Sequence, residues 1–223
     1  MIVIIGSRHD SVARSIIAAL PAAALCSAED LTRPGWVWSV GSPEPNRWVV
    51  DGKVVDDPQV TGVLVRRTYV YPEELVGTHP DDREYLAAES TAFLIFVLSR
   101  TGSRVVNPVS DGALGEDVIR PERWMAAAVD LGVDVAPLRL KATGPIRAPK
   151  MTTTAEVVGD ETFGDAPPHL RAAAAQLAAA LGVVYAAFVF DRKQRLVALS
   201  ANRLPSDAAL AALGSLLSIR SRA

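Results

Sequence analysis

Met1-Ile2-Val3-Ile4-Ile5-Gly6-Ser7-Arg8-His9-Asp10-Ser11-Val12 opens the chain, and its reading decides the fold class. Residues 2–5 are four consecutive β-branched residues, the pattern of a strand buried on both faces. Gly6 ends the run and a polar turn follows. Val12, Ile16, Ile17 and Leu20 then recur at helical spacing and predict a helix over 11–20, capped by Asp10 or Ser11. Residues 21–26 return as a short strand. A strand, a tight turn, a helix and a second strand are the start of an α/β sheet.

The same alternation continues outward. Strands are expected at 36–39, 47–50 and 53–55, the last two joined by the hairpin turn Asp51-Gly52. A buried strand at 60–66 follows, then a long helix over 80–99. Its one face is expected to carry Tyr85, Leu86, Glu89, Phe93, Phe96 and Val97. A strand ends at Asn107-Pro108, a helix covers 120–131 and stops at Gly132, and a strand covers 133–140. The remainder reads differently: a hairpin over 156–163 around Gly159-Asp160, an alanine-rich helix over 170–181, strands at 183–190 and 196–199, and a last helix over 206–217. The reading is therefore an α/β domain over 1–140 with a parallel or mixed sheet and flanking helices, a linker over 141–155, and a smaller α+β lobe over 156–223.

Composition narrows the function classes. The 223 residues are 49% hydrophobic and 22% charged, with a net charge of −2. That balance builds a packed core and does not advertise a nucleic-acid or anionic-membrane surface. The longest apolar run, 92–98, is too short to span a bilayer. The N-terminus lacks a basic region ahead of its apolar run, so a cytoplasmic protein without a signal peptide is expected. A single cysteine, Cys26, excludes an intrachain disulfide and is expected to be a buried thiol. His9, His79 and His169 show no metal-ligand spacing.

Several motifs in order carry a resemblance. They are Leu64-Val65-Arg66-Arg67, then His79-Pro80-Asp81-Asp82-Arg83-Glu84 with Glu89, then Val106-Asn107-Pro108, then Arg123-Trp124 to Leu131-Gly132-Val133, then Val135-Ala136-Pro137. In the second part, Val157-Val158-Gly159-Asp160-Glu161 and Leu199-Ser200-Ala201-Asn202 follow. This order resembles the ATP-grasp ligases that modify ribosomal peptides, the graspetide synthetases, and their glutathione-synthetase-like relatives. The resemblance implies a pre-ATP-grasp domain followed by an ATP-grasp lobe, with ATP and magnesium expected of a complete member.

Two departures bear on activity. Residues 141–155 stand where complete members carry the central subdomain that clamps ATP. Ser200 stands where the metal strand carries a glutamate, so Asp191 and Asn202 are left as remnant magnesium ligands. Magnesium is held by carboxylates and phosphates in octahedral geometry. The expectation is therefore a degenerate, ATP-grasp-derived protein that uses no cofactor and acts as an accessory or scaffold in peptide or natural-product biosynthesis. A small ATP-independent enzyme that reuses the ancestral cleft, and a minimal ligase completed by a partner, are the alternatives.

Candidate substrate-binding residues are Arg66, Arg67, Asp82, Glu89, Asn107 and Arg123. Two guanidiniums at a strand's carboxyl end suit a carboxylate or phosphate, where open α/β sheets place ligands. They equally suit ion pairs with Asp81, Asp82, Glu84 or Glu89 on the following helix. Gly6–Asp10 offers a phosphate cradle at a helix start or an ordinary capped turn. The expected partners are a second copy or another biosynthetic protein, with a peptide or small carboxylate as ligand.

Overall fold

A computed structural model describes residues 1–41, 44–107, 114, 120–137 and 152–219. The chain divides into two compact units, residues 1–117 with 214–223, and residues 118–213.

In the first unit, β1 (Ile2–Ile5) lies between β2 (Ala23–Cys26) and β5 (Gly62–Val65), all parallel, and β6 (Val105–Val106) joins β5. Every residue of β1 and β5 is buried, because helices cover both faces. Helix α1 (Ser11–Ala19) buries Ala13 and Ile16. The end of α6 (Asp207–Ile219) reaches the sheet at Gly62, where a Cβ would run into the Leu217 carbonyl oxygen. Only a glycine admits that approach. The other face packs Val3, Ile5, Val63 and Val65 with Leu94, Val97 and Leu98 of α3 (Arg83–Thr101).

The hairpin β3 (Arg47–Val50) and β4 (Lys53–Asp56) turns at Asp51 and Gly52, both at positive φ (50° and 70°), as a two-residue hairpin requires. Trp36 and Trp38 both pack against the buried Trp48, the first tilted and the second edge-on, at 5.6 and 5.5 Å between ring centroids. The short helix α2 (Ala28–Leu31) holds this hairpin through Asp30. Its carboxylate accepts the Ser27 N–H and hydroxyl, both at 2.8 Å, and the Gly52 N–H, also at 2.8 Å.

The second unit is an antiparallel sheet in the order β10-β9-β7-β8. These strands are β7 (Thr153–Val158), β8 (Glu161–Phe163), β9 (Tyr185–Phe190) and β10 (Leu196–Ser200). Helix α5 (Pro168–Leu181) packs on β7 and ends at Gly182 with φ 67°, and α4 (Pro121–Asp130) packs on α5.

Several expectations need correction. The expected strand 36–39 is one bridge, Val37 to Arg47, and the expected strand 133–140 is one bridge, Val135 to Leu196. Residues 138–140 and Pro108 lie outside the described residues. So does the expected linker from 141 to 151, while its last residues, from Thr153, belong to β7. The division at 117 differs from the expected boundary at 140 because α4 packs within the second unit. On α3 the buried stripe is Ala87, Ser90, Leu94, Val97, Leu98 and Thr101. Glu89 and Tyr85 face solvent, because the inward face lies one position from the face read in the sequence.

Candidate functional site

β1 and β5 are neighbours, yet the chain leaves β1 toward β2 on one side and crosses back to β5 on the other. In open α/β sheets such a switch leaves a crevice at the carboxyl ends of the strands. A cleft of about 320 Å³ lies there, with Ser7 and His9 after β1, Ser27 and Glu29 after β2, and Glu74 and Val76 after β5 on its walls.

The guanidiniums that the sequence singles out lie behind this cleft with partners of their own. Arg66 Nε donates to Asp10 Oδ2 at 2.8 Å, with both side chains mostly buried. The same carboxylate caps α1, accepting the N–H groups of Val12 at 2.9 Å and Ala13 at 3.1 Å. Burial opposes the charge of Asp10; the hydrogen bond from Arg66 and the two N–H groups outweigh it and hold the carboxyl below its usual range. Arg67 Nη2 donates to Glu74 Oε1 at 2.9 Å and to the Gly6 carbonyl at 2.8 Å. Arg67 is buried, and its Nε and Nη1 have no hydrogen-bond partner among the described residues.

The expected pairing of these arginines with Asp81, Asp82, Glu84 or Glu89 is thus replaced by Asp10 and Glu74. Asp82 and Glu89 are exposed on the α3 segment. Asn107 is buried directly after β6, at φ 56°, on the same carboxyl edge of the sheet. Arg123 is exposed on α4 of the second unit. The phosphate-cradle reading of residues 6–10 also closes, because the chain's own Asp10 occupies the helix start. Glu74 and Asp30 are the residues the sequence reading missed. The signal for Glu74 was available: two glutamates behind Pro72, seven residues from Arg67, on the turn that must pass the strand end.

Cys26 is fully buried, and burial pushes its thiol pKa up, with the Asp30 charge adding to the rise and Arg67 opposing it. Its Sγ donates to the Val49 carbonyl at 3.6 Å. Among the described residues no group of three or more His, Cys, Asp or Glu gathers as a metal would need.

The remnant metal ligands do not meet. Asp191 sits in the β9–β10 turn, where Oδ2 accepts Arg195 Nη2 at 2.7 Å and Nε at 3.0 Å, and Oδ1 accepts the N–H groups of Lys193 and Arg195. Burial raises its pKa, but the Arg195 hydrogen bond and these N–H groups hold it below the usual carboxylate range. Phe190 pairs with Leu196 and Ala187 with Ser200, so Asn202 lies at the far end of the hairpin from Asp191. At ~3.4 Å per residue the two are on the order of 15–20 Å apart. The position opposite Ser200 is Ala187, and the next residue in that row is Glu156 on β7. Glu156 is buried and occupied, accepting the Ser206 N–H at 2.9 Å and the Ser206 hydroxyl. These residues do not fit a magnesium ion, whose ligands converge at ~2.0–2.1 Å.

Comparison with solved structures identifies the architecture. The macrocyclase MdnC of Microcystis aeruginosa, solved with the precursor peptide MdnA, matches over 97% of this chain and 98% of that chain at 13% identity, with a TM-score of 0.70. The fold is that of ATP-grasp ligases. PsnB, solved with a minimal precursor, Mg and ADP, matches over 99% and 98% at 15% identity and a TM-score of 0.69. A RiPP-associated ATP-grasp ligase of Chryseobacterium gregarium, solved with ADP and a leader and core peptide, matches over 97% and 96% at 9% identity and a TM-score of 0.66. No family model and no curated protein matches the sequence. No helix among the described residues is long and apolar enough to cross a membrane.

Proposed function

We propose that this chain works in ribosomal peptide modification as an ATP-grasp-fold accessory protein without ligase activity of its own. Three of its fold neighbours are solved with precursor or leader and core peptides, which supports a peptide or another biosynthetic protein as its partner; the reading takes the chain to work in the cytoplasm. The observation that carries the reading is the Ser200–Ala187 pairing, which puts no carboxylate at either position, with Asp191 tied to Arg195 at the wrong end of the hairpin. In the same reading, residues 141–155 replace a longer ATP-clamping subdomain, and a second copy or a partner covers what that subdomain would have covered.

The test is thermal unfolding of the purified chain with and without millimolar Mg²⁺ and ATP. Ligand at ~100 times Kd adds ~2.7 kcal/mol, which moves Tm by roughly 5–10 °C in a chain of this size. The expected shift is under about 1 °C, and Asp191→Asn leaves it unchanged. A shift of several degrees that Asp191→Asn abolishes overturns the proposal.

A second reading is favoured by the end-to-end span of the match: the chain retains ATP use and a partner completes its site. A magnesium–ATP shift that arises only in a mixture with a full ligase of this fold supports that reading over the first.

A further inference from the structure

Between β5 and α3 the chain presents two aromatic rings that its own core does not use. Tyr69 and Tyr71 are 47% and 44% exposed, and their ring centroids are 4.3 Å apart with planes tilted by 49°. The two rings touch each other, and each residue still keeps close to half of its surface exposed to solvent. Val70 between them turns inward and is buried, and its N–H donates to Thr91 Oγ1 of α3 at 3.0 Å. The loop is therefore anchored, and the rings are held out rather than free to collapse.

The charges around the neighbouring cleft are matched, with one exception. Glu29 is shared by Arg8 and Arg33, Asp10 holds Arg66, and Glu74 holds Arg67. Glu73, on the cleft wall, is exposed and has no cationic partner among the described residues. The neighbouring Tyr71 and, after it, this negative charge push the Tyr69 phenol pKa up from its ordinary value. With the start of α1 capped by Asp10, the cleft's helix end is closed to an added anion. What remains is one uncompensated carboxylate two residues from a pair of half-exposed aromatic rings, a combination that suits an organic cation.

We propose that Tyr69, Tyr71 and Glu73 form a docking point for a lysine or arginine side chain of a peptide, whose flanking residues lie along the cleft past Ser7 and Val76. The occupant is a peptide rather than a free amine because the rings stand on an open surface. A lone ammonium gains little there, whereas one contact of a longer ligand adds to the others. The inference goes beyond the function proposed above and rests on the first unit alone, so its failure leaves that reading intact, and the reverse.

The test is an NMR titration of the full chain, read at the tyrosine ring signals, with the peptide amide acetyl-Gly-Ala-Lys-Ala-Gly. The same peptide with norleucine or glutamate in place of lysine is titrated in parallel. The lysine peptide is expected to shift both tyrosine signals and to bind more tightly than either control. Glu73→Gln weakens it roughly two- to fivefold, the scale of an exposed cation–π or ion-pair contact. Tyr69→Ala with Tyr71→Ala removes binding, while the paired Phe variants retain most of it because the ring faces remain. Equal binding of the norleucine peptide, tighter binding of the glutamate peptide, no perturbation of the tyrosine signals, or a Glu73→Gln affinity unchanged from wild type overturns the proposal. Glu73 is exposed and bonds to nothing else described, so that variant keeps the test decisive even where the tyrosine variants do not fold.

Discussion

Asp10→Asn isolates the ion pair behind the cleft. Asparagine caps a helix about as well as aspartate, so the two bonds to Val12 and Ala13 survive and only the charge is removed. Arg66 then keeps its buried guanidinium without the carboxylate at 2.8 Å. Breaking a buried pair by removing one partner costs about 3–5 kcal/mol. The Asp10 side chain is 19% exposed rather than fully enclosed, so the expected loss is discounted for solvent screening to about 2–4 kcal/mol. Asp10→Ala loses the cap as well, for ~1 kcal/mol more. The assay is urea unfolding of wild type, Asp10→Asn and Asp10→Ala at several pH values, followed by tryptophan fluorescence, since Trp36, Trp38 and Trp48 all lie in the first unit.

The pH dependence has a definite sign. The folded-state pKa of Asp10 lies below its unfolded value of about 3.9. Its contribution is therefore complete above that unfolded value and fades as pH falls through the folded one. The gap between wild type and Asp10→Asn should be full at pH 7, unchanged at pH 5, and shrinking below about pH 4. A gap under ~0.5 kcal/mol at pH 7, within the range of an ordinary surface substitution, refutes the reasoning. So does a gap that stays constant into acid.

Three further outcomes follow from single contacts. Asp30→Ala removes the acceptor of Ser27 and of the Gly52 N–H, and is expected to cost about 2–4 kcal/mol in urea unfolding and to weaken the near-ultraviolet circular dichroism of the Trp36/Trp48 cluster. Gly62→Ala drives a Cβ into the Leu217 backbone, so α6 must shift; a loss of about 1–3 kcal/mol is expected, and a neutral result in thermal unfolding means α6 does not press on the sheet there. Cys26 is expected to resist a thiol reagent at pH 8 in the native state and to react at once in guanidinium, because burial both shields it and keeps it protonated; fast native labelling contradicts that burial.

Local order was legible wherever one short stretch carried its own reason. The β-branched run at 2–5, the cap at Asp10, the Asp51-Gly52 turn and the stop at Gly182 are each decided by a few adjacent residues, and each stands where its chemistry puts it. The ordered motifs also pointed to the ATP-grasp ligase fold, since they follow one another along the chain as the elements do. The inward face of α3 was less legible: its apolar residues run nearly all round, so periodicity did not single out Leu94 and Leu98 over Phe96 and Tyr85.

What the sequence alone determined about this protein is its class: elements, their order, and the arginines at the end of β5. Partnership was left to the tertiary structure. Arg66 is 56 residues from Asp10, and nothing local distinguishes that carboxylate from the four on the next helix. The sheet order decides it, by setting β1 beside β5 in parallel so that the turn after one meets the end of the other. Register decided the second unit in the same way. Asp191 and Asn202 are eleven residues apart in sequence, but an antiparallel hairpin carries two such positions to opposite ends, and the strand pairing puts Ala187 across from Ser200.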